Sequence, residues 1–173
     1  MLISAPGGRL RDYQELEHIR GMTTHQVITT LCRKGGRPGL SLITLRVDES
    51  LREHAAGAGK LTATREAVAS LVACYFHWFW RPDWRLVTMF GQVRDGPHPD
   101  LTWRRPDYRV VLDEIKTSPW TGLSRQLQEQ LEGYVALGRD RLGEEFGGVR
   151  LCPLRAPRRA ALFTGPNKWE EIW

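Results

Sequence analysis

The clearest patterning of apolar and polar positions begins near Thr62. Residues 62–80 carry apolar side chains at helical spacing, with Ala67, Leu71, Cys74, Tyr75 and Trp78 on one broad face. Arg81-Pro82 stops that helix, because a residue before proline avoids the α region. Residues 86–93 read as a strand, and residues 101–103 and 109–116 as the two arms of a hairpin. The second arm opens on Val110-Val111-Leu112, a run suited to a central buried strand. After a loop marked by Pro119 and Gly122, residues 123–142 form a long helix with Leu127, Leu131, Tyr134, Val135 and Leu142 near one face. Residues 149–154 and 159–163 are two further strands.

The first part of the chain is patterned less sharply. Residues 12–20 suit a short polar helix, and Thr23-Thr24 cap a second one through Cys32, closed by Gly35-Gly36. Residues 40–47 alternate as a half-buried strand does, and Gly57-Ala58-Gly59 reads as a loop. The order from residue 62 is helix, three strands, helix, two strands. That order predicts an α/β fold around a mixed central sheet flanked by helices. Residues 61–173 would form its core and residues 1–60 an N-terminal extension or the opening elements of the fold, in one compact domain overall.

Composition narrows the class. The chain has 173 residues, 41% hydrophobic and 26% charged, as a single globular domain does. No apolar run is long enough to span a bilayer, and no basic-then-apolar leader opens the sequence. Cys32, Cys74 and Cys152 are scattered and form no CxxC, which fits reduced thiols in a cytoplasmic protein. The net charge is +5 and the isoelectric point about 9.4. Arginine dominates the basic set, and such a surface attracts phosphate backbones.

The candidate chemistry lies on the hairpin and the long helix. Glu114 and Lys116 are two apart on a strand and so share a face, while Asp113 points to the other. Three aspartates are candidates to meet Glu114. Asp107 lies about 23 Å away along the strand, too far to share a metal. Asp95 needs a two-residue turn at Arg104-Arg105 and puts Pro97 and Pro99 inside the ladder. With 105–109 as the hairpin loop, Asp100 falls opposite Glu114, with Cβ atoms about 5 Å apart. The ranking is therefore Asp100, Asp95, Asp107. Two converging carboxylates suit a divalent metal, which neutralises charge on a phosphodiester and presents a water. Lys116 beside them suits orienting that water or stabilising the charge that develops. Gln130 and Tyr134, four apart, share one helix face and can position Lys116, the water or a phosphate. Glu66 and His77 on the preceding helix are candidates for a further ligand. Taken singly, ExK also describes a solvated salt bridge, Tyr134 a core residue and Glu66 a surface one.

Pro99-Asp100, Glu114-Ile115-Lys116 and Gln130-Leu131-Glu132-Gly133-Tyr134, followed by Val135-Ala136-Leu137, together resemble the PD-(D/E)xK nuclease superfamily, in its RecB-type or lambda-exonuclease-like branch with a QxxxY helix. The resemblance covers about residues 99–137. It implies a restriction-endonuclease-like core and a nuclease, exonuclease or endonuclease, that depends on Mg²⁺, with Mn²⁺ able to substitute. It also implies metal ligation by Asp100, Glu114 and the backbone carbonyl of Ile115, a catalytic Lys116, and accessory roles for Gln130 and Tyr134. The implied substrate is DNA, or else RNA, contacted by Arg104, Arg105 and Arg125. A homo-oligomer or a larger complex is compatible with it. The branch often has a glycine shortly before the aspartate and a histidine on the preceding helix; here Gly91 stands well upstream and no histidine is assigned. Three scattered cysteines leave no iron–sulphur cluster. The competing expectation is a non-catalytic nucleic-acid-binding or assembly subunit that keeps the fold.

Overall fold

In the computed structural model, residues 6–54, 61–88, 98–165 and 168–171 are described. Three helices come first: α1 (Pro6–Lys34), α2 (Leu40–His54) and α3 (Leu61–Trp78). Strands β1 (Arg85–Leu86), β2 (Leu101–Arg104) and β3 (Val110–Lys116) follow, then helix α4 (Arg125–Leu142) and strands β4 (Phe146–Pro153), β5 (Ala161–Gly165) and β6 (Lys168–Glu171). The strands pair in chain order into one six-stranded sheet. Only β3 and β4 run parallel, because α4 carries the chain back across the sheet between them; every other pair is antiparallel.

The pleat of β3 sorts its residues between two cores. Ile115 packs into a core with Leu101, Trp103, Cys152 and the buried faces of α1, α2 and α3. Val110 and Leu112 turn the other way, onto Leu127, Leu131, Tyr134 and Val135 of α4. The result is a helical layer, the sheet, and α4 on the far face. Both faces of β3 and β4 are covered, which is why the two strands read as near-continuous buried runs.

The mixed α/β architecture agrees with the sequence, and the elements differ from it in instructive ways. The two short N-terminal helices are one, running through Gly21, where a Cβ would lie 3.3 Å from Thr117 Oγ1 just past β3. Gly35 and Gly36, at φ of 73° and 77°, close it as expected. Residues 40–47 are not a strand. They open α2, which buries Ile43, Val47 and Leu51 at four-residue spacing and leaves Leu40 and Leu45 exposed. On α3 the buried stripe is Val68, Leu71, Val72, Tyr75 and Phe76, continued by Phe79 just past the helix end, and Trp78 faces outward. Of the strand read over 86–93, β1 holds Arg85 and Leu86, and residues 89–93 lie outside the described residues. Pro157–Arg159 forms a 3-10 turn, so β5 begins at Ala161, and β6 was not anticipated. The first two helices share their core with α3 and the sheet.

Candidate active site

The hairpin pairs in the register expected from its loop, from Arg104 opposite Val110 to Leu101 opposite Asp113. Past that pair the Asp100 amide donates to the Asp113 carbonyl at 2.9 Å, and the Asp100 charge acts on Glu114, so the two carboxylates are neighbours where the ladder ends. The Asp100 carboxylate is held on both oxygens: Oδ2 accepts from the Ile115 amide at 2.6 Å, and Oδ1 lies 2.7 Å from His25 Nδ1. Asp107 sits in the hairpin turn, paired with Arg105 at 3.0 Å, far from this end. Asp95 lies outside the described residues.

Glu114, 5% exposed, anchors a chain of polar contacts to α4. Lys116 Nζ donates to Glu114 Oε1 at 2.6 Å and to Gln130 Oε1 at 3.3 Å. Gln130 Nε2 in turn donates to the Tyr134 hydroxyl at 2.9 Å. That hydroxyl has one proton, placed between Glu114 Oε2 at 3.0 Å and the His98 carbonyl at 2.7 Å. Helix geometry brings Gln130 and Tyr134 to one face. Ser124 fixes where the helix starts, its hydroxyl accepting from the Leu127 amide at 3.2 Å. The structure thus gathers Asp100, Glu114, Lys116, Gln130 and Tyr134 at one place, with the Ile115 peptide against Asp100.

Electrostatics mark the same point. Burial and the neighbouring Asp100 charge raise the Glu114 pKa, while Lys116 and the Tyr134 hydroxyl pull it back. Burial and the Glu114 charge push Tyr134 well above the usual phenol range, so it stays a proton donor. For His25, burial acts downward, but the bond to Asp100 and the charges of Asp100 and Glu114 prevail and raise its pKa.

Asp113, next in sequence to Glu114, does something else. It is wholly buried on the opposite face, where Arg150 meets it twice, at 2.8 and 2.7 Å. Tyr75 Oη and Trp103 Nε1 also donate to it, at 2.8 and 3.0 Å. Arg150 additionally donates to the Phe79 carbonyl at 2.9 Å. This cluster ties α3 to three strands and holds the Asp113 carboxylate on the face away from Glu114.

Other sequence candidates are not brought in. Glu66 is exposed early on α3. His77 is exposed, 3.2 Å from Arg37 and edge-on to Trp78. Arg104 and Arg105 lie at the hairpin turn, about 13 Å along β2 from Asp100, where Arg104 meets Glu145 at 2.9 Å and Arg105 lies over Trp84. Arg125 is strongly exposed at the start of α4 and pairs with Glu129 at 2.8 Å. The residue that sequence reasoning missed is His25, placed by α1. Its signal is a polar stripe, Gly21, Thr24 and His25, on the same face as the fully buried Ile28.

No protein-family model, curated protein or solved structure matches the chain. No described helix is long and apolar enough to cross a membrane.

Proposed function

We propose that this chain is a divalent-metal-dependent nuclease that hydrolyses phosphodiester bonds in DNA, on a restriction-endonuclease-like core. The observation that carries the reading is the convergence of Asp100 and Glu114 at a strand end with Lys116 on Glu114 and Gln130–Tyr134 behind it. A structural salt bridge needs no second carboxylate beside the first. Placing one there raises the Glu114 pKa, an unfavourable arrangement unless a cation is to be held.

The donor set fits a hard divalent ion. Among the described residues no three His, Cys, Asp or Glu side chains form a metal cluster. Mg²⁺, however, is commonly held by one or two carboxylates, with water and phosphate oxygens completing its shell. Asp100 and Glu114 would hold it, with the Ile115 carbonyl as the resemblance implies, and Mn²⁺ would substitute. When bound, the ion supplies charge neutralisation at the phosphate and a more acidic water.

The protein's own groups do the rest. Lys116 places an ammonium where a water attacks phosphorus and charge grows on the non-bridging oxygens. The P–O ester bond breaks, giving a phosphate monoester and, once the leaving oxygen takes a proton, a free hydroxyl. Gln130 accepts from Lys116 and donates to Tyr134, so it fixes the ammonium through a second bond. Tyr134 donates to Glu114 and favours its ionised form. His25 holds one oxygen of Asp100 and so fixes the carboxylate plane.

The test is to incubate the protein with linear and circular DNA, single- and double-stranded, in Mg²⁺, Mn²⁺ or EDTA, beside Lys116→Ala. Cleavage that needs metal and is lost in the variant is the expected result. No cleavage of any form in either metal would overturn the reading in favour of a non-catalytic nucleic-acid-binding or assembly role.

A further inference from the structure

A cavity of about 250 Å³ opens between the loop that follows β3 and the first turns of α4. It shares two walls with the active site, Lys116 and Gln130. Leu127 and Trp120 form its apolar side. Leu127 is buried, and Trp120 is partly buried, packed against the core beneath α4 while still lining the cavity. Exposed Ser118 and Ser124 stand at its mouth. No aspartate or glutamate lines it. One cation, the two amides of Gln126 and Gln130, hydroxyls and one indole, without a carboxylate, form a lining suited to an anionic, ring-bearing ligand rather than to a peptide or a metal.

We propose that this cavity receives the nucleotide next to the scissile phosphate, with its base unpaired and stacked on Trp120. The inference rests on the nuclease reading only for which phosphate lies at Lys116. An indole offers its face to any base, and such stacking is tolerant of sequence. A base held among Trp120, Leu127 and the loop cannot keep a Watson–Crick partner, so it must leave the duplex or come from a strand that has none. The loop holds Trp120 in place: Pro119 precedes it, and Gly122 takes a φ of 98°, a region costly for other residues. The substrate class that follows is a single strand or a frayed end, not an intact duplex.

The test uses the whole 173-residue chain in EDTA, so that binding is read without cleavage. Fluorescence anisotropy is recorded with a labelled single-stranded oligonucleotide, with a series carrying one abasic position in turn, and with the blunt duplex. Loss of one base–aromatic stack weakens binding by about 5- to 150-fold. Trp120→Ala should show such a loss and Trp120→Phe should retain most of the affinity. One abasic position should weaken the wild type similarly but leave Trp120→Ala unchanged, and the blunt duplex should bind less tightly than the single strand. A flat abasic series in the wild type overturns the proposal even if Trp120→Ala fails to fold, as does equal binding of single strand and duplex, or no binding at all. A parallel Mg²⁺ cleavage assay separates the two readings. Cleavage with a flat series removes only the subsite, whereas a position-dependent series without cleavage removes only the nuclease.

Discussion

Asp113 and Glu114 are adjacent carboxylates on one strand, and the structure gives them opposite duties that a pair of substitutions can separate. Asp113→Asn removes the charge that faces Arg150, whose side chain is 3% exposed, and disturbs the bonds from Tyr75 and Trp103. Breaking one side of a buried ion pair costs about 3–5 kcal/mol. At about 2–4 °C per kcal/mol for a chain of this size, the melting midpoint should fall by about 6–20 °C. Glu114→Gln differs in sign. A carboxyl whose folded pKa is raised contributes stability fully present below its unfolded pKa and lost as pH rises through the folded value. Near neutral pH the ionised Glu114 is therefore a net burden through burial and Asp100 repulsion, and glutamine removes it. What is lost is one ion pair to Lys116, which is 28% exposed and can turn to water. The net change should stay within about 1 kcal/mol, or about 4 °C, while DNA cleavage falls about 100-fold or more. Thermal melts and initial cleavage rates near neutral pH, on both variants, decide the matter. An Asp113→Asn midpoint equal to wild type, or a Glu114→Gln midpoint falling as far as that of Asp113→Asn, would refute this division of labour.

Further outcomes follow from the same geometry. Tyr134→Phe removes a bond that lowers the Glu114 pKa, so the acid limb of the rate profile should move to higher pH; an unmoved limb would contradict the contact. The His25 pKa is raised, so its contribution is full below its ordinary 6.5 and fades as pH rises through the folded value. His25→Ala should accordingly lower the melting midpoint more at about pH 6 than at about pH 9, and a pH-independent deficit would count against the Asp100 bond. Burial pushes the Cys32 thiol up to about 12 and Cys152 well above its usual range. Both should therefore resist alkylation in the native protein near neutral pH and react once unfolded, as read by mass spectrometry. Gly138→Ala drives a methyl into the Phe146 ring and should cost about 1–3 kcal/mol in denaturant melts.

The second half of the chain was legible because its signals are local and mutually consistent. The hairpin loop and period-two alternation fix the register from Arg104–Val110 to Leu101–Asp113, which brings Asp100 to the end of β3, and four-residue spacing fixes the Gln130–Tyr134 face. The first half was not, for a physical reason. Eight residues of α2 place Leu40, Leu42, Ile43, Leu45 and Val47 so that a strand and a helix fit equally. Only extension to Leu51 shows which apolar residues are buried and which, like Leu40 and Leu45, lie on the surface. The α3 stripe was shifted because Trp78 is large and apolar yet faces solvent, while Phe79, past the helix end, is 2% exposed. His25 escaped notice because its partner stands 75 residues away, and no local pattern encodes that distance. Asp113 was read correctly as facing away from Glu114, but its four donors come from α3, β2 and β4, and only the folded chain brings them together.

The measurement closest to the central claim is the cleavage rate of labelled DNA in Mg²⁺ by wild type and by Glu114→Gln, each shown to be folded by its melting curve. The expected result is cleavage by the wild type that EDTA abolishes and that the equally stable variant lacks. Cleavage by Glu114→Gln at the wild-type rate, or none by the wild type on any DNA form, would contradict a metal-dependent nuclease centred on Asp100 and Glu114.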